Sequence, residues 1–170
     1  MHIRIIGAIF ILLGCTGFGF LAASNHRRET NTLRQFINIL EFMQNELQYR
    51  LTPLPELCML ASNTSKGILK QVFQCLSHEL ENQILPDAQM CMHSVIEGND
   101  DIPKLTKYGL SLLGRSIGRF DINGQLNCLK SIQMEMQQTL NEFSKNQADR
   151  LRSYQTLGIC AGAAALILLL

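Results

Sequence analysis

The sequence has no surplus of charge of either sign. Only 17% of its 170 residues are charged, and the formal net charge is +1. Arg4 apart, every one of the 15 Lys/Arg residues lies between Arg27 and Arg152, as do all 14 Asp/Glu, so this stretch is neutral. A phosphate backbone needs a basic face to displace its counterions, so nucleic acid is not expected as a partner. Paired cysteines are missing as well. Cys58, Cys75, Cys91 and Cys128 are scattered through the polar stretch, Cys15 and Cys160 lie in apolar ones, and no two form C-x-x-C. They read as small packing residues of a reducing compartment. A zinc site would have to combine Cys75 and His78 with two distant ligands. Neither a G-x-x-x-x-G-K-[ST] loop nor an H-E-x-x-H pair is present, so the chain carries no recognisable nucleotide site or metalloprotease motif.

Gly114-Arg115-Ser116-Ile117-Gly118 does match the G-x-S-x-G string. That chemistry needs a strand before the serine and a sharp turn into a helix after it. Here Leu105, Leu110, Leu112 and Leu113 precede it in a helical context, and only His78 and His93 remain as bases away from the chain ends. The two glycines read instead as a helix end or a close packing point. Glu46, Glu79 and Glu81 read as solvated helix faces. The expectation is a protein without catalytic residues, metal or cofactor.

Charge is absent from both ends of the chain. Ile5 to Ala23 is a run of 19 uncharged residues, about 28 Å as a helix, and Tyr154 to Leu170 is one of 17, about 26 Å. A hydrocarbon core is roughly 30 Å thick. The expected layout is a transmembrane helix within residues 1–24, a helical domain over 25–153, and a second transmembrane helix over 154–170. Arg27, Arg28 and Arg34 on one inner flank, and Lys145, Arg150 and Arg152 on the other, place the domain in the cytoplasm and both termini outside. Two processing events compete with this. Ala22-Ala23-Ser24 resembles a signal-peptide cleavage site, and Leu12-Leu13-Gly14-Cys15 a lipoprotein one. Either would make the protein an exported lipoprotein or a secreted helical binding module. Gly158 and Gly162 form G-x-x-x-G, a spacing that lets membrane helices approach closely.

Between the ends the apolar period is helical, and no comparable stretch shows strict alternation. Leu33, Phe36, Ile37, Leu40, Met43, Leu47 and Leu51 form one stripe. That helix should stop before Thr52-Pro53-Leu54-Pro55, with Thr52 capping a short second helix from Pro53 to Ala61. Ser62 to Ser65 reads as a loop. A third helix carries Ile68, Leu69, Val72, Phe73, Leu76 and Leu80. Pro86-Asp87 opens a fourth, with Met92, Val95 and Ile96 on one face, and Gly98 to Asp101 ends it. A fifth runs from Ile102 or Pro103 to about Ile117. Asp121 should cap a sixth, whose apolar residues are Ile122, Leu126, Leu129, Ile132, Met136, Leu140 and Phe143. No glycine or proline lies between Gly124 and Gly158, so this helix can continue for about 50 residues, roughly 75 Å, unless it breaks near Asn146. The fold class is all-α: a bundle of about six helices between two transmembrane helices.

These residues resemble the stage III sporulation protein AB family over nearly the whole chain. The resemblance begins at Ile6-Gly7-Ala8-Ile9-Phe10. It continues through Leu40, Met43, Glu46, Leu47 and Tyr49 to Thr52-Pro53-Leu54, then through Gly114, Gly118, Asp121 and Gln125, and closes at Leu157-Gly158. Cys91-Met92 departs from it, standing where the family often has an aromatic residue, and Gly124 loosens the first turn of the last helix. The resemblance implies a non-enzymatic, two-pass protein of the mother-cell membrane facing the forespore. It would be a platform subunit of the secretion or channel complex joining the two cells, required for sporulation. The family is similar to inner-membrane platform proteins of type II secretion and type IV pilus machines. That implies a cognate sporulation ATPase and other membrane subunits as partners, and leaves homo-oligomerisation open. The motif residues Glu46, Tyr49, Thr52, Pro53, Leu54, Gly114, Gly118, Asp121 and Gln125 are expected to shape the bundle's corners first and to make contacts second.

Overall fold

The computed structural model describes the backbone of residues 27–82, 85–118 and 121–169, and side chains as far as residue 145. Six helices and no strand are present among the described residues. Helix α1 covers 27–50, α2 Leu54–Thr64, α3 Ile68–Glu81, α4 Ala88–Glu97, α5 Lys104–Ser116 and α6 Ile122–Leu169. The apolar stripes put these helices together. Leu33, Phe36, Leu40 and Met43 of α1 are fully buried, as are Leu57 of α2, Leu69, Val72, Phe73 and Leu76 of α3, and Leu110 and Leu113 of α5. Met92, Leu129 and Met136 complete one core with them.

Helix α1 runs parallel to α5 and antiparallel to α6. Glu29 Oε1 accepts from the backbone N–H of Leu105 at 3.1 Å. Further along, a Cβ placed on Gly109 would meet Phe36 Cε1 at 2.6 Å and Met136 Sδ at 2.8 Å, so three helices touch at that backbone. Gln44 Nε2 donates to Gln133 Oε1 at 2.8 Å, and Tyr108 OH to Glu135 Oε1 at 2.7 Å. Helices α2, α3 and α4 cover the remaining side, with Ser77 Oγ donating to the carbonyl of Pro55 at 2.8 Å.

The antiparallel pair fixes where the chain enters and leaves. Residue 27 precedes Gln44 by 17 positions. At equal rise per residue it is level with residue ~150 of α6. Both chain ends therefore depart from one pole of the bundle, and α6 continues beyond it as helix to Leu169. The 48 residues of α6 run without a break at Asn146, about 72 Å along the axis.

Several expectations change. Helix α2 does not end at Ala61 but reaches Thr64. Ser62 is buried and donates to the carbonyl of Lys70, while the hydroxyls of Thr64 and Ser65 bond back to the carbonyls of Leu60 and Ala61. These serines and threonines extend the last turn rather than opening a loop. Thr52 does not cap α2. Pro53 occupies the cap position without a side-chain hydrogen bond, and Thr52 is buried instead. Asp121 is a cap as expected: Gly124 N donates to its Oδ1 at 3.0 Å. Asp87 does the same for α4 through Met90 N at 2.7 Å. Among the described residues no helix is long and apolar enough to cross a membrane. The first expected span, residues 1–24, lies outside the described residues, as do the side chains of the second, Gly158 and Gly162 included.

Candidate functional site

Residues 51–53, 85–87 and 117–118, at the ends of three pairs of successive helices, gather at the pole away from residue 27. They enclose a cleft of about 450 Å³ lined by Leu54, Leu80, Leu85, Ala88, Ile117 and Gly118, with Asp87 at its edge. The two motif segments are thereby brought together. A Cβ on Gly118 would sit 3.6 Å from Leu54 Cδ2. Gly118 itself holds φ +79°, the left-handed region that glycine enters without steric cost, and so turns α5 into α6.

Gly114 acts differently. It is buried, and a Cβ there would meet Met92 Cβ at 2.6 Å and Met92 Cγ at 2.8 Å. The missing side chain lets the α5 backbone lie directly against the Met92 side chain of α4. Ser116, between the two glycines, donates to the carbonyl of Leu112 at 2.9 Å at the end of a helix, not in a strand–turn–helix elbow. Gln125 lies half-buried in the first turn of α6, where its N–H donates to the Asp121 carbonyl at 2.8 Å.

Glu46 and Glu79 are not the solvated carboxylates that their positions suggest. The Glu46 side chain is 15% exposed, with Arg50 Nη1 at 3.7 Å from its Oε2. That oxygen is buried and has no hydrogen-bond donor among the described residues. Glu79 accepts from Ser94 Oγ at 3.2 Å through one oxygen, and its other oxygen is buried without a donor among the described residues. Glu81 is exposed as expected. Tyr49, one turn beyond Glu46, is 78% exposed.

The cysteines divide by burial. Cys58 is fully buried, and desolvation pushes its thiol up to about 12. Cys91 is buried; desolvation first, then the charges of Glu79 and Asp87, raise its thiol. Cys75 is exposed and Cys128 half-buried, so packing accounts for Cys58 and Cys91 but not for Cys75. Among the described residues no group of three or more His, Cys, Asp or Glu is placed to hold a metal ion.

Four features are not legible from local sequence. Leu51 adopts φ +54° and is 61% exposed, although it continues the apolar stripe of α1. Gly109 is a second close-approach glycine, legible only once Phe36 and Met136 are seen to face it. Glu29 caps α5 from another helix, across 76 positions of sequence. Ile122 also falls on the apolar stripe of α6 yet is 44% exposed, because the first turn of α6 projects past α1.

Comparison with known proteins agrees with this architecture. The sequence profile described as stage III sporulation protein AB matches residues 4–170. A solved structure of stage III sporulation protein AB aligns with a TM-score of 0.62 and 17% identity, covering 72% of this chain and 98% of that one. At that identity the likeness is one of fold. No curated protein gives a significant sequence match. Because the profile spans nearly every residue, the motif segments around Thr52 and Gly118 included, the chain belongs to the stage III sporulation protein AB family.

Proposed function

We propose that the chain is a non-enzymatic platform subunit of the sporulation complex that joins mother cell and forespore. Residues 1–24 and 154–170 hold it in the mother-cell membrane, and the bundle between them faces the cytoplasm. There it docks a secretion-type ATPase, while Gly158 and Gly162 pack the second span against other membrane subunits. The observation that carries this reading is the polarity of the bundle. Residue 27 and residue ~150 lie at one pole, and the motif-bearing turns occupy the other. A membrane on one side and a soluble partner on the other fit that arrangement. The unbroken α6 would carry displacement at the Gly118 turn into the second span.

Thiol accessibility tests the layout. Cys75 is exposed, so it should react with a membrane-impermeant maleimide after lysis but not in intact sporangia. Cys58 should react only on denaturation. Labelling of Cys75 in intact cells would overturn the cytoplasmic assignment. So would an intact mass that lacks the residues before Cys15 or through Ser24. Co-purification of the cognate ATPase with the full chain tests the docking role, and its failure at micromolar concentrations would remove that role.

A further inference from the structure

The charges that cancel over the whole domain are not mixed within it. From Gln71 to Pro103 there are six acidic residues, Glu79, Glu81, Asp87, Glu97, Asp100 and Asp101, and no lysine or arginine. The remainder of the stretch from Arg27 to Arg152 therefore carries the balancing excess of six positive charges.

The fold turns that block into a surface. It comprises α3 from Gln71, α4 and the α4–α5 loop, with α3 packed on α4. All of its carboxylates except half-buried Glu79 are exposed. Asp87 stands at the cleft pole and Asp101 beside Arg28 at the other, so negative charge runs the length of this flank. Arg28, 3.3 Å from Asp101, is the one lysine or arginine among the described residues that pairs with it. Lys104, Lys107 and Arg115 of the adjacent α5 make no such pair among them.

Helix α6 lies on the other side. Among the described residues it packs on α5 and α1 and approaches none of α2, α3 and α4. Lys130 and Asn45 face each other across the groove between α6 and α1. Arg34 and Arg27 precede Asn45 by 11 and 18 positions, about three and five turns, and so share its face. Lys145 follows Lys130 by about four turns. All four cations are exposed, and none has an ion pair among the described residues. Glu41 is the one carboxylate on this face of α1. Glu135 and Glu142 fall on a stripe of α6 turned to α5, where Tyr108 donates to Glu135. Arg27 and Lys145 lie toward the pole of Asp100 and Asp101, and Lys130, beside Gln48, toward the pole of Asp87.

We propose that the α3–α4 flank of one copy docks on the α1–α6 flank of the next, so that copies stand side by side. The occupant is a second copy because this chain itself carries the complementary charges, at matching heights on opposite flanks. The two flanks differ, so the contact is heterologous and repeats from copy to copy. Only the parallel alignment of the copies rests on the membrane reading.

The test uses the purified full chain in detergent and sedimentation velocity. Glu81→Lys with Glu97→Lys reverses the acidic flank, and Arg34→Glu with Lys130→Glu the basic one. All four positions are exposed, so both proteins should melt with wild type. Wild type should associate at micromolar concentrations, and either reversed protein alone at least tenfold more weakly. Mixing the two reversed proteins should restore association to within threefold of wild type, because each then offers the charge that the other lacks. Wild-type association should also fall at least tenfold between about 0.15 M and 1 M salt, as the Debye length drops from about 8 Å to about 3 Å. A monomeric wild type, reversals without effect, or no recovery on mixing would overturn the contact. So would association that persists in 1 M salt, which would belong to uncharged surfaces. Recovery on mixing, together with Cys75 labelling in intact cells, would refute the membrane layout and leave the contact between copies standing.

Discussion

Gly114→Ala isolates what holds α4 against α5. In an ordinary exposed helix interior the change would stabilise by about 1 kcal/mol, because alanine loses less backbone freedom. Here the added Cβ would lie 2.6 Å from Met92 Cβ and 2.8 Å from Met92 Cγ. Carbon atoms pack best at about 3.5–4.0 Å, so relief requires about 1 Å of movement. Met92 Cβ is fixed to its backbone and cannot rotate aside, so α4 itself must shift. Overpacking of this kind costs about 1–3 kcal/mol, and a displaced helix also loses dispersion along its length. Subtracting the propensity gain leaves about 0–2 kcal/mol, and the dispersion lost along α4 raises the lower end, so Gly114→Ala should destabilise by about 1–2 kcal/mol. For a domain of this size that is a fall in Tm of roughly 4–8 °C, read by circular dichroism of the purified full chain. Met92→Ala provides the decisive background. Alanine keeps the Cβ, so the contact at 2.6 Å survives and Gly114→Ala should remain destabilising there. A wild-type or raised Tm for Gly114→Ala would refute the reasoning. So would full rescue by Met92→Ala, which would put the contact on the flexible outer part of the methionine.

The helix caps and the buried thiol give further tests. Asp121→Ala and Asp87→Ala each remove a carboxylate that accepts a first-turn N–H, at 3.0 and 2.7 Å, and each should cost about 1 kcal/mol in denaturant unfolding. Cys58 titrates at about 12 in the folded protein against 9.0 for a free thiol. The unfolded state therefore loses its proton first, and the contribution of Cys58 to stability is complete below pH 9. Above that it falls by up to about 1.4 kcal/mol per pH unit until the folded thiol also ionises. Cys58→Ala should flatten that alkaline slope in urea titrations; an unchanged slope would place its cause elsewhere.

The helices were legible because their signals are local. A stripe at three- and four-residue spacing, a proline pair, and an aspartate before an apolar run each act within one turn of chain. Leu33 to Leu47 and the Asp121 cap were readable for that reason. The end of α2 is not legible locally, because Ser62, Thr64 and Ser65 carry the composition of a loop. Only the tertiary position of Ser62, buried against Lys70, shows them extending a helix. The burial of Glu46 and Glu79 is hidden on the same grounds: a carboxylate on a helix is usually solvated, and burial here depends on which neighbouring helices close over it. At the candidate site, Gly114 and Gly118 stand out in the sequence as a pair, but their different tasks are not separable there. One admits α4, the other turns the chain, and both have the same side chain.

The polarity of the bundle was the least legible feature and bears most on function. Sequence order separates the turn at Thr52 from the turn at Gly118 by more than half of the domain. Antiparallel pairing of α1 with α6 cancels that separation, because it lays Gln44 beside Gln133 and so puts residues 51 and 121 at one end and residues 27 and ~150 at the other. Six helices that run alternately up and down return the chain to the pole from which it started. Here both exits coincide at one pole and the exposed, strained turn stands at the opposite one. A fold so arranged can hold two membrane attachments and one soluble contact without any of them crossing the core. Gly114 belongs to the second pole: a Cβ there would also lie 3.7 Å from the carbonyl of Ala88, which lines the cleft beside Leu54 and Gly118, so Gly114→Ala should shift the wall of that cleft together with α4.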